Sequence, residues 1–63
     1  MPTPITNKAG EVVQWHDWCG REGHQHSDQD ARNYILRRWP ELDADLREQI
    51  FFRSQELLAM ADR

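Results

Sequence analysis

The stretch "ITNKAGEVVQW", Ile5 to Trp15, decides the fold class of this 63-residue chain, because it alone carries signals of extended structure. Asn7 and Gly10 are turn formers for different reasons: Asn bonds its own backbone, and Gly accepts positive φ. Val12 and Val13 then open a β-prone run towards Trp15. The expectation is a short N-terminal β-hairpin within residues 1–18, with Val13 and Trp15 facing inward and Val12 and Gln14 outward. A lone hairpin is marginal in water, so it must lie against something.

Working outward, that support is helical. In "SDQD" Ser27 has an acid three residues on, the spacing of a capping box, and Asp28 and Asp30 suit the positive end of a helix dipole. Ala31, Tyr34, Ile35, Arg38 and Trp39 follow at helical spacing, and Pro40 disfavours helical geometry at Trp39, so a first helix is expected over 28–39. A second is expected over 41–62. Its Leu42, Leu46, Ile50, Leu57, Met60 and Ala61 fall within one arc of about 100°. Phe51 and Leu58 lie on the margin, Phe52 points away, and Arg53 falls inside the arc, where its stem could lie along the core with its head in water or beside an acid. Residues 19–27 form the connecting loop. The expected architecture is therefore α+β and mostly helical: a short N-terminal β-hairpin, a ligand-rich loop and two antiparallel C-terminal helices in one domain, 1–63.

Length makes such a domain need help. A core this small leaves a thin margin, and small chains commonly add disulfides, a metal or a partner. Cys19 is the single cysteine, so no internal disulfide can form. Metal and association remain. The net charge of −3 resides wholly in residues 39–63, while 1–38 balance, and no basic stripe suited to phosphate backbone stands out. The start "MPTPITNKAGE" has no apolar stretch behind a basic residue, and no run is long enough to span a bilayer, so a cytoplasmic protein with no membrane association is expected.

The loop "HDWCGREGHQHSDQ", His16 to Gln29, concentrates nitrogen and sulfur ligands. Zinc takes four such ligands in a tetrahedron. His16 and Cys19 are separated by two residues, Gly20 and Gly23 permit sharp turns, and His24 follows, so three ligands could converge locally, with His26, Asp28 or water as the fourth. The bland reading of the same residues has His16 ending a strand, Cys19 as a small buried apolar residue, and His24 and His26 in water before a capped helix.

"CGREGHQ" resembles the core of the retroviral-type zinc knuckle, Cys-x2-Cys-x4-His-x4-Cys. Cys19 matches its second cysteine, Gly20 the glycine after it, Gly23 the glycine before the histidine, and His24 that histidine. Arg21 matches a commonly basic position, and Trp18 lies in the first spacer, where an aromatic is frequent. His16 replaces the first cysteine and can still ligate zinc; Gln29 replaces the last and cannot. The resemblance implies zinc as cofactor and a contact with single-stranded nucleic acid through stacking aromatics.

A chain this short has little room for a pocket that excludes water, so no enzymatic activity is expected. The expected function is that of a small regulatory or adaptor protein that binds a protein partner, a homodimer included, through Trp15, Trp18, Arg21, Phe52 and Arg53, since aromatics and Arg are enriched at binding hot spots. The alternative is a knuckle-like module that binds single-stranded nucleic acid, with Trp15 or Trp18 stacking on bases.

Overall fold

The structure, a computed structural model, describes residues 4–61, and the side chains of residues 5–60. Three helices follow one another: α1 (Pro4–Arg21), α2 (Asp28–Arg38) and α3 (Ala44–Ala61). Among the described residues there is no strand, so the fold is all-helical and the expected α+β architecture is overturned at the N-terminal hairpin. The parts of the expected hairpin at residues 1–3 and of the second helix at residue 62 lie outside the described residues, as does the side chain of Ala61.

The stretch read as a hairpin is helical because its apolar residues satisfy a 3.6-residue period better than a period of two. Ile5, Ala9, Val12, His16 and Cys19 fall within an arc of about 80°, and all five are buried or half-buried. Val12, expected to face outward, is 2% exposed, while Val13 is only half-buried. Pro4 stands at the first helical position, where its missing N–H costs nothing. Asn7 and Gly10 are poor helix formers, and the burial of the stripe outweighs their propensities, each below about 1 kcal/mol.

The core cluster takes side chains from every helix: Val12 from α1, Ala31 and Ile35 from α2, and Ile50 and Phe51 from α3, with Trp39 at the end of α2. Ile5, Trp15, Tyr34 and Leu42 pack on its edge. Both α1 and α2 pack on α3, which makes α3 the shared element.

The face that α3 buries is turned by roughly 80° from the expected arc, so that Ile50, Phe51 and Ser54 line the core and Met60 is exposed. Ser54 lies within the displaced face. A serine adds nothing to an apolar count, yet this one is 0% exposed, and its hydroxyl donates to the Phe51 carbonyl at 2.6 Å, which removes the cost of burying it. Arg53 then lies off the core face, half-buried, and its guanidinium meets Glu56 of its own helix at 3.4 Å.

The helix ends are set by side chains. Ser27 caps α2 in a complete capping box: its Oγ accepts from the Asp30 N–H at 3.3 Å, and its own N–H donates to Asp30 Oδ2 at 2.9 Å. Asp43 accepts from the Leu46 N–H at 2.8 Å, which starts α3 at Ala44 and not at residue 41. Two ion pairs, Arg38 to Glu11 and Arg32 to Glu48, each 2.9 Å, join α2 to α1 and to α3. Both are partly solvated, and pairs of that kind contribute about 0–1 kcal/mol.

Gly10 lies inside α1, and a Cβ there would meet nothing within 4 Å. Gly10→Ala should therefore raise stability by about 0.5–1 kcal/mol, read by thermal or urea unfolding. A loss of stability would mean that residue 10 occupies a turn.

Candidate functional site

The ligand-rich segment divides into a helix terminus, a short connector and a helix start. At the end of α1 the Gly23 N–H donates to the Gly20 carbonyl at 3.2 Å, and the His24 N–H donates to the Cys19 carbonyl at 2.8 Å. This pair of bonds, with Gly23 at φ +75°, is a Schellman motif, which ends a helix and reverses the chain. The spacing that suggested a knuckle is thus occupied by backbone chemistry. Cys19 and His24 are the two ends of a six-residue capping bond, and Gly23 is the left-handed residue that the cap requires.

Beyond the cap, residues 24–26 pass back over the end of α1 until Ser27 opens α2. That return sets His26 against His16, ten residues earlier, with His16 Nδ1 and His26 Nε2 2.7 Å apart. The ring centroids are 4.7 Å apart at 84°, so the imidazoles meet nitrogen to nitrogen and edge to edge. The other nitrogen of His26, Nδ1, lies 3.5 Å from the Ser27 carbonyl, a long contact to a group that can only accept. On that basis the hydrogen of His26 is assigned to Nδ1, Nε2 carries the lone pair, and His16 Nδ1–H donates across the pair.

His26 also packs on the Trp15 ring at 4.5 Å. Trp15 stacks on Tyr34 at 4.6 Å and 14°, and Tyr34 meets Trp39 edge-on at 6.3 Å. Four rings thus form a ladder from the connector across α1 to the end of α2. The Lys8 ammonium and the Arg38 guanidinium lie over the Trp39 ring at 5.8 and 5.5 Å. Burial, followed by the negative charge of Glu11, raises the Tyr34 phenol above its ordinary pKa.

A shallow, open depression of about 330 Å³ lies beside the ladder, lined by His16, Gly20, His24, Gln25 and His26. Of the residues expected to hold zinc, His16, His24 and His26 border this depression. Cys19 is buried, and its backbone carbonyl serves the cap. The His24 ring stacks on Trp18 at 5.7 Å. Among the described residues no group of three or more His, Cys, Asp or Glu side chains is gathered tightly enough to hold a metal ion.

The residues expected to contact a partner are dispersed. Trp15 is half-buried within the ladder, Arg21 is exposed at the end of α1, and Arg53 is engaged with Glu56. Trp18 and Phe52 are exposed, at 53% and 56%. Leu36 at 45% and Met60 at 63% join them. Leu36 has no signal apart from its place on the outer side of α2, and Met60, expected in the core, falls outside the face that Ile50, Phe51 and Ser54 line. No helix of the described residues is long and apolar enough to cross a membrane. No protein-family model, curated protein or solved structure gives a significant match to this chain.

Two outcomes follow from the cap and the ladder. Gly23→Ala forces a Cβ into the left-handed region and should cost about 1–2 kcal/mol, whereas Gly20→Ala, helical with open space around it, should be neutral or stabilising by up to about 1 kcal/mol. Urea unfolding of the two variants reads the contrast, and equal effects would contradict the cap. For Tyr34 the folded chain favours the neutral phenol, while the unfolded chain releases it to ionise near its ordinary value. Its contribution is whole below about pH 10 and is lost as pH rises further, so stability should fall more steeply above that pH in the native chain than in Tyr34→Phe.

Proposed function

We propose that this chain is a small non-enzymatic adaptor that works in the cytoplasm by docking on a protein partner, a second copy of itself included. The observation that carries this reading is the imbalance between inside and outside. Among the described residues eight apolar residues are buried, while four large apolar side chains, Trp18, Leu36, Phe52 and Met60, stand about half in water. Single exposed apolar residues are ordinary, but Phe52 and Met60 lie two turns apart on one helix, with Glu56 and Ala59 between them, also exposed. An apolar pair flanked by acids and glutamines suits a helix face that seats in a complementary groove.

Electrostatics support a protein partner over a nucleic acid. Arg32, Arg38 and Arg53 are each engaged with an acid, and Arg47 donates to the Leu42 carbonyl at 2.8 Å, so much of the positive charge is spent internally. Phosphate binding depends on cations free to displace counterions. The open shape of the depression speaks against enzymatic work, since it encloses no volume from which water is excluded.

A photo-crosslinking residue placed at position 52 should trap one defined protein species in cells, while the same residue at exposed Gln14 should not. Sedimentation of the purified chain then separates a second copy from a foreign partner. Diffuse labelling that is the same at both positions would remove this function.

A further inference from the structure

The His16–His26 pair does more than join the connector to α1. Two imidazole nitrogens are directed at one point from opposite sides, 2.7 Å apart, on the wall of a depression open to solvent. A pair serving only as an internal bond gains from being sealed, since water competes for both nitrogens; this pair is left open. His26 Nδ1 lies 3.5 Å from the Ser27 carbonyl, and in the tautomer assigned from that contact Nε2 is a lone-pair donor.

The geometry points to a site for a divalent transition metal of the imidazole-preferring class (Cu2+, Ni2+ or Zn2+) with His26 Nε2 and His16 Nδ1 as its two protein anchors. Two nitrogens each bound at about 2.0–2.1 Å to one tetrahedral ion lie about 3.4 Å apart, so the pair has to open by about 0.7 Å and the two rings have to turn until their lone pairs converge on the ion. His26 stands on a connector between two capped helix ends, where a shift of that size is absorbed by side-chain torsions and not by the helices. His16 changes tautomer, moving its hydrogen from Nδ1 to Nε2. His24, on the rim of the same depression, can become a third ligand by leaving its stack on Trp18, and water fills the remaining positions. Cys19 takes no part, because it is buried. This ligand set therefore differs from the quartet expected of the sequence, and it is independent of protein docking through α3.

Calorimetric titration of the full chain with Ni2+ at neutral pH tests the site. One ion should bind per chain and raise the melting temperature, with Cu2+ tighter and Mg2+ inert, as imidazole ligands require. His16→Ala and His26→Gln should each weaken binding by about tenfold or more, while Cys19→Ala should leave it within about twofold. Should His26→Gln fail to fold, Zn2+ titration of the native chain followed by imidazole 15N shifts still decides. His16 Nδ1 and His26 Nε2 must move together. Absent Ni2+ binding, binding that survives both histidine substitutions, dependence on Cys19, or shifts confined to His24 would each overturn the site.

Discussion

Ile50 and Phe51 on α3 are covered from both sides, by Val12 of α1 and by Ala31 and Ile35 of α2, and every other feature of the molecule depends on that shared contact. Neither α1 nor α2 has an apolar surface large enough to stand alone. Helices of 18 and 11 residues are marginal in water without tertiary packing. With no internal disulfide available, the helices depend on this shared packing for their stability. The buried Ser54 fits this economy. It sits where α3 must come close to its neighbours, and its hydroxyl is satisfied within the helix, so the core carries no stranded polar group at that point.

Two caps back to back define the connector between α1 and α2. The Schellman motif at Gly23 turns the chain out of α1, and the Ser27 capping box turns it into α2, so only a few residues lie between. Those residues have little freedom. Their return over α1 is what brings His26 onto Trp15 and His16, and so creates both the aromatic ladder and the open imidazole pair. Chemistry at this place is thus a consequence of how one helix ends. The outer surface of α3, where Phe52 and Met60 project, lies opposite the face on which Ile50 and Phe51 meet the core.

Local signals were legible wherever chemistry is local. The Ser27 box and the stop before Pro40 could be read from the residues, because each depends on neighbours within one turn. Gly20, Gly23 and the histidine after it are visible as a unit in the sequence, but not which backbone geometry they serve: a helix cap and a metal turn make the same demand, a glycine that tolerates positive φ. What would have separated them is the stripe Ile5, Ala9, Val12, His16 and Cys19, which places a helix immediately before the cap. Valine pairs and an Asn–Gly neighbourhood drew attention to extended structure instead, and propensities of that size yield to burial.

By itself the sequence determined that no internal disulfide can form, that helices occupy its second half, and that nitrogen ligands concentrate before Ser27. Those properties follow from composition and from interactions within a few residues. Only the tertiary structure decided that α3 turns Ser54 inward and Met60 outward, and that His16 faces His26 while Cys19 is buried. Each of these depends on which surfaces remain to be covered once three helices meet, and a linear pattern of residues does not contain that quantity.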